Sequence, residues 1–219
     1  WQNQNINLKT NKMNYSTDQE DFWAGKFGDD YIGRNKGEEL LASNLNFFSK
    51  GLKQIRKIKS CIEFGSNIGM NLKAIKLLYP NLVLKGVEIN KAACKDLSKL
   101  IGAENVYNKS IFDLDIDQKF DLSFIKGVLI HINPEKLQQV YQKLYDYSNR
   151  YILIAEYYNP KPVSITYRGH ENRLFKRDFA GEFLDKFRDV SLVDYGFSYR
   201  RDPSFPQDDI TWFLIQKKN

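Results

Sequence analysis

SCIEFGSNIGMNLKAIKLLYP, Ser60 to Pro80, is the stretch whose reading decides the fold. Ser60 to Phe64 has the composition of a short buried strand, Gly65 opens a turn, and Met70 to Leu78 follows with a helical pattern that Pro80 and Asn81 break. A strand, a glycine turn and a helix in that order aim unpaired backbone N–H groups at whatever the turn holds.

The same alternation continues outward from this unit. LVLKGVEI is a second strand, Lys91 to Leu100 a helix, ENVYNKS a third strand and KFDLSFIKGV a fourth. Asn133 with Pro134 predicts a helix start, an Asn cap with Pro at the first helical position, and that helix runs to about Tyr147. RYILIAEYY is a fifth strand. After an irregular stretch come a helix from Arg177 to Phe187, a strand near Ser191 to Gly196, and a final strand in DDITWFLIQKK. Upstream, Lys36 to Lys57 carries an apolar helical stripe through Leu40, Leu41, Leu45, Phe47, Phe48, Leu52 and Ile55. Strands alternating with helices predict a doubly wound, Rossmann-like α/β domain. Its seven-stranded sheet should be mostly parallel, with an antiparallel hairpin of the last two strands at one edge.

The chain of 219 residues is 42% hydrophobic and 14% aromatic, which fits one globular domain and excludes a disordered protein. The expected organisation is a mobile Asn- and Lys-rich tail over residues 1–16 and one domain over 17–219. That domain divides into an N-terminal lid and helix (17–58), a cofactor-binding core (59–157), and an acceptor insertion with the C-terminal hairpin (158–219). No internal repeat or interdomain linker is evident. A chain opening on Trp1 rather than Met reads as a processed or trimmed product, with Met13 available as a natural start. No apolar run reaches membrane-spanning length and no signal peptide is visible, so neither a membrane nor secretion is expected. Two cysteines and two histidines make no zinc framework, no metal is expected, and Cys61 and Cys94 as buried thiols fit a reducing cytoplasm. The net charge of +6 permits an acidic substrate without requiring one.

In doubly wound sheets ligands bind beyond the carboxyl ends of the strands where the strand order reverses, so the Gly65 turn is the expected site. Glu88, at the end of the second strand, can accept two hydrogen bonds from ribose hydroxyls, which makes the ligand a nucleoside. A dinucleotide turn would need glycines where Asn67 and Met70 stand. The pattern present is E-x-G-x-x-x-G, with Glu63 on the strand and Gly65 and Gly69 in the turn. An acidic residue at Glu63 is awkward for a pyrophosphate and suits a cationic amino-acid ligand.

With Glu88 and FDLSFIKGVLIHI, this pattern resembles motif I and the fourth strand of class I S-adenosylmethionine-dependent methyltransferases, with Asn67 replacing the middle glycine. The resemblance implies S-adenosylmethionine as cofactor and S-adenosylhomocysteine as product. It implies that Ser66 and Asn67 lie in the cofactor turn, Ile89 beside Glu88, Ser110 and Ile111 against the adenine, and Lys126 with Gly127 beside the methionyl portion. More narrowly, QEDFWAGKFGDDYIGRN, KGVLIHINPEKL, AEYYNP and RRDPSFPQDDITWFLIQKK resemble methylases associated with pseudaminic acid biosynthesis, over roughly 200 residues. That implies a nucleotide-linked or acidic, nonulosonic-type sugar acceptor in bacterial surface-glycan biosynthesis.

The insertion from Glu156 to Phe179 should lie on the acceptor side without regular structure. Its expected acceptor-binding residues are Tyr157, Tyr158, Asn159, Tyr167, Arg168, Arg173 and Lys176, since arginine forks suit an anion and tyrosines a sugar face. Arg200 and Arg201 read equally as edge-strand charges or as binding residues. Candidate general bases are His131, His170 and Glu156, in that order. Trp23, Tyr31 and Arg34 are expected to fold over the cofactor as a lid, with Tyr31 or Arg34 near its carboxylate. Nucleic-acid methylation is the enzymatic alternative, disfavoured because KGVLIHINP lacks the Pro-Pro-aromatic motif after the fourth strand and no basic module is appended. A non-catalytic nucleoside-binding protein is the other.

Overall fold

The computed structural model describes residues 15–33 and 36–218. Its central sheet has seven strands: β1 (Ser60–Phe64), β2 (Val83–Val87), β3 (Val106–Tyr107), β4 (Phe120–Lys126), β5 (Ser148–Glu156), and the C-terminal pair described below. The strand order is β3-β2-β1-β4-β5, continued by the last strand of the chain and then the one before it. β1 to β5 pair in parallel. Strand order reverses between β1 and β4, which puts the Gly65 and Gly127 turns side by side at the carboxyl edge.

Each face is covered by helices because the strands alternate. Ile62, Phe64, Ile152 and Ile154 point to the face packed by α6 (Leu137–Asp146) and α7 (Phe179–Lys186). Cys61, Phe124, Leu153 and Ala155 point to the face packed by α3 (Glu38–Gly51), α4 (Met70–Leu78) and α5 (Lys91–Ile101). Burying a large side chain such as Phe48, Phe124 or Phe183 stabilises the fold by roughly 1.5–3 kcal/mol each. The Asn133 cap forms as expected: its side chain accepts from the Glu135 N–H, and Pro134 opens a 3₁₀ turn that leads into α6.

The expected C-terminal hairpin is present as β8 (Val190–Ser198) and β9 (Ile210–Lys217), and both of its pairings are antiparallel. β9 slots between β5 and β8, so the connecting loop, residues 199–209, lies beside the carboxyl end of β5.

Two expectations change. The third strand shrinks to Val106–Tyr107 because the Asn108 side chain donates to the Glu88 and Ile89 carbonyls, ending the ladder. The insertion after β5 is not irregular but a separate hairpin, β6 (Val163–Tyr167) and β7 (His170–Lys176). Arg168 and Gly169 form its two-residue loop, both at positive φ (52° and 82°), the geometry that matches strand twist.

Two short helices, α1 (Asp18–Ala24) and α2 (Lys26–Ile32), precede α3. A reciprocal cap starts α1: the Glu20 N–H donates to Thr17 Oγ1, and the Thr17 hydroxyl returns a bond to the Glu20 carboxylate. Ser16 also donates to Glu20 through its N–H and its hydroxyl. The tail residues before Tyr15 lie outside the described residues, as does Arg34. Among the described residues no helix is long and apolar enough to cross a membrane, and no group of three or more His, Cys, Asp or Glu is placed to hold a metal.

Candidate active site

A cavity of about 630 Å³ opens at the carboxyl edge of the sheet, over the β1/β4 switch point. That volume suits a nucleoside-sized cofactor with a small second ligand. Its floor is the turn read first from sequence. Gly65 sits at φ 80°, and a Cβ there would lie 2.5 Å from Val128 Cγ2, so only glycine fits. Asn67 takes φ 47° in the glycine's place, and its own Oδ1 accepts from the Ile68 N–H, the local bond that makes Asn tolerant of this region. Gly69, at φ 87°, does not line the cavity; it caps α4 beneath Leu97 and Leu100.

Glu88 reaches the cavity wall from the end of β2. Its two oxygens accept the Asn67 and Asn90 N–H groups, each at 2.7 Å, and the residue lines the cavity. Burial raises its pKa, opposed by those backbone bonds. Glu63 lies below the floor, fully buried. Its Oε1 accepts from Asn71 Nδ2 at 2.7 Å, while Oε2 has no protein partner. Burial pushes its pKa up to about 8, against the pull of Asn71 and of Lys126. Lys126 lines the cavity beside it, with a pKa lowered by burial and held up by the Glu63, Asp208 and Glu156 carboxylates. The Lys126 ammonium on the cavity wall, with the orphaned Glu63 oxygen beneath the floor behind it, suits a zwitterionic ligand group. Ile89, Ser110 and Ile111 line the opposite end, with Ser66 and Asn67 on the floor.

The roof is α1–α2, and polar clips fasten it. Ser110 Oγ donates to the Glu20 carboxylate, Asn90 Nδ2 donates to Asp29 at 2.8 Å, and Gln19 Nε2 donates to the Asn172 carbonyl at 3.0 Å. Trp23 and Tyr31 line the cavity from this side. Ser110 therefore meets the roof as well as the cavity.

His131 closes the far wall. It ends a 3₁₀ turn, Leu129–His131, and its ring lies 4.6 Å from Trp23 and 5.0 Å from Tyr167 between centroids. Its Nδ1 is 2.6 Å from the Arg173 carbonyl oxygen. A carbonyl only accepts, so Nδ1 carries the proton and Nε2 bears a lone pair. Burial lowers the His131 pKa to about 4, so the ring is neutral at physiological pH. Tyr157, Tyr167 and Arg168 complete this wall. Tyr31 is held protonated, its pKa pushed up to about 12 by burial and by the neighbouring Tyr167. Burial and the adjacent Asp208 carboxylate raise Tyr157 further.

Several expected residues are elsewhere. Glu156 is fully buried and its carboxylate faces backbone N–H groups, not the cavity, so it is not placed to act as a base. His170 is exposed on β7 and packs against Phe22 and Phe27. Arg173 lays its guanidinium over Phe22, and Lys176 lies over Tyr157, so both brace aromatic rings instead of lining the acceptor wall. Tyr158 is exposed beside Phe213, and Asn159 bonds the Lys161 carbonyl. The sequence reading missed Asp208 and Gln207, which the β8–β9 loop brings to the cavity with Arg200. Gln207 donates to Asn44 Oδ1 of α3 at 2.8 Å. Insertion of β9 beside β5 creates this proximity, and no local pattern announces it. Glu20 was missed as well, although its Thr17-x-x-Glu20 spacing is a capping pattern that could have marked it.

No family model matches the chain, and no curated protein matches it. Solved structures do. A methyltransferase from Burkholderia thailandensis, bound to 1,6-didemethyltoxoflavin and S-adenosylhomocysteine, superposes with a TM-score of 0.67 at 13% identity, covering 92% of this chain and 87% of that one. A Leishmania major S-adenosylmethionine-dependent methyltransferase gives 0.68 at 13% identity, covering 91% and 87%. The fold is that of the class I S-adenosylmethionine-dependent methyltransferases. Magnesium protoporphyrin IX methyltransferase from Synechocystis, with bound S-adenosylmethionine, gives 0.64 at 13% identity over 94% of this chain and all of its own. At such identities the likeness is one of fold.

Proposed function

We propose that the protein is an S-adenosylmethionine-dependent methyltransferase acting on a small anionic acceptor, a nucleotide-linked or acidic sugar of bacterial surface-glycan biosynthesis. The observation that carries the methyltransferase reading is Glu88, a carboxylate at the cavity wall at the end of β2, directly bonded to the turn after β1. Glu88 would hold the ribose hydroxyls, Ser110 and Ile111 the adenine, and Lys126 with Glu63 the zwitterionic methionyl end. When bound, the cofactor supplies an electrophilic methyl group on a sulfonium. The cofactors in the Burkholderia and Synechocystis structures support this assignment.

The protein's part is to orient, to exclude water and to receive a proton. Orientation alone can supply roughly 7–11 kcal/mol of such a barrier, while a general base adds about a hundred- to ten-thousand-fold in rate. The α1–α2 roof covers the cavity. The His131 Nε2 lone pair can take the proton that an acceptor hydroxyl loses. Arg168 and Arg200 line the acceptor side; Arg200 is paired with Asp209 at 3.5 Å, so Arg168 supplies the positive charge that supports an anionic ligand. The sugar assignment rests on the resemblance of the N-terminal aromatic segment and the C-terminal loop to the pseudaminic acid-associated methylases. A cytoplasmic location goes with this reading, since both cysteines are free and buried.

The experiment is a methyl-transfer assay with S-adenosylmethionine and a CMP-linked nonulosonic acid, with uncharged free glucose as control, read by mass spectrometry. Gain of one methyl by the acidic sugar alone supports the proposal. Transfer only to neutral acceptors, or to nucleic acid, rejects the acceptor assignment. Arg168→Ala should raise the acceptor KM at least tenfold and leave cofactor affinity within about threefold.

A further inference from the structure

We infer that Glu156 is a positioning residue that holds the His131 imidazole as the Nδ1–H tautomer, acting through the turn that follows β4. The inference deepens the methyltransferase reading and rests on it for the role of His131. Glu156 ends β5 and is 3% exposed. Its Oε1 accepts the Val128 and Leu129 N–H groups, each at 2.9 Å, and its Oε2 lies 3.5 Å from the Ile130 N–H. These are successive donors at the start of the 3₁₀ turn that ends in His131, where no carbonyl of the turn can reach them. The turn closes on itself through the His131 N–H to the Val128 carbonyl at 2.8 Å. Its backbone is therefore pinned by one carboxylate from below.

The ring is pinned from the other side. Nδ1 meets the Arg173 carbonyl of β7, and Trp23 and Tyr167 flank the imidazole. A carbonyl bond at 2.6 Å tolerates little displacement of the ring. If the turn shifts, Nδ1 leaves the carbonyl, and the imidazole reverts to the Nε2–H form that an unconstrained histidine prefers. Nε2 then presents a proton where a base needs a lone pair. What Glu156 must supply is a hydrogen-bond acceptor in a fixed place, not a site for the substrate proton.

The chain contains two histidines, so each ring is resolvable in a long-range ¹H–¹⁵N correlation spectrum, with His131→Gln assigning the signal. The spectrum is recorded on the full chain with and without saturating S-adenosylhomocysteine. Wild type should show His131 as one Nδ1–H tautomer. Glu156→Ala should mix the tautomers, raising the Nε2–H population at least fivefold. Glu156→Asp, whose carboxylate is one methylene too short to reach the turn, should do the same and serves if the alanine variant does not fold. Glu156→Gln, which keeps the Oε1 acceptor, should restore the wild-type pattern. An unchanged His131 signal in Glu156→Ala or Glu156→Asp, or a glutamine variant that behaves like alanine, overturns the inference. Failure of wild type to bind S-adenosylhomocysteine would reject the methyltransferase reading instead, and the tautomer comparison on the free protein would still decide the clamp.

Discussion

Replacing Glu88 tests two roles at once, because one carboxylate both shapes the turn and faces the ligand. Its oxygens hold the Asn67 and Asn90 N–H groups at 2.7 Å each. Glu88→Ala orphans both donors, at about 1–3 kcal/mol each. Water entering from the cavity offsets part of this, so a stability loss of about 2–4 kcal/mol is expected. The same change removes the charged acceptor that we propose for the ribose hydroxyls, worth roughly 1.5–3 kcal/mol, or about 10- to 150-fold in the S-adenosylhomocysteine Kd. Glu88→Gln is the informative partner. It retains one acceptor oxygen, but its amide NH₂ must face either the Asn67 or the Asn90 donor, so its stability loss should be about half that of alanine. Urea denaturation measures the first quantity and isothermal titration the second. An alanine variant that binds S-adenosylhomocysteine within threefold of wild type would refute the ribose assignment, whatever its stability.

Other outcomes follow from the same geometry. Asn67→Ala should lose about 1 kcal/mol of stability by urea denaturation, since alanine lacks the side-chain bond to Ile68 that supports φ 47°, whereas Asn67→Gly should be close to neutral. Glu63 and Glu156 have folded pKa values raised from 4.5 to about 8 and about 7, so their stabilising contribution is full below 4.5 and is lost as pH rises. His131, lowered to about 4, acts in the opposite sense, but only up to its ordinary value of 6.5. The ligand-free protein should therefore lose stability between pH 6.5 and 8, by a few kcal/mol, and a flat or rising Tm over that window by scanning fluorimetry would contradict the burial of these acids. Hydrogen exchange across Asp18–Ile32 should slow when S-adenosylhomocysteine is added. Equal protection with and without it would make α1–α2 plain packing and no lid.

The strand–turn–helix unit was legible because it is local: Gly65, Gly69 and the β1 and β2 apolar runs fix their own conformations, and Glu88 follows from strand order. The Asn67 substitution left the turn's shape open until its αL conformation and side-chain bond were seen. The β6–β7 hairpin was missed although Val163 to Tyr167 alternates apolar and polar residues, because the polar and aromatic residues around it read as an irregular loop and its outer positions, from Val163 to Thr166, are exposed. It forms instead on a two-residue turn at Arg168 and Gly169 and packs on the aromatics of α1–α2. That docking turns Arg173, Lys176 and His170 toward Phe22, Tyr157 and Phe27, which no loop reading could anticipate. Asp208 and Gln207 escaped for a topological reason, since only the insertion of β9 between β5 and β8 brings their loop to the cavity.

The central claim is that the Gly65 turn and Glu88 hold S-adenosylmethionine and not a dinucleotide. Isothermal titration of the wild-type chain with S-adenosylhomocysteine and, separately, with NAD tests it most directly. The account predicts one site for S-adenosylhomocysteine at micromolar affinity, about −7 to −8 kcal/mol, and no heat from NAD. Saturable binding of NAD, or no binding of S-adenosylhomocysteine by correctly folded protein, would contradict it.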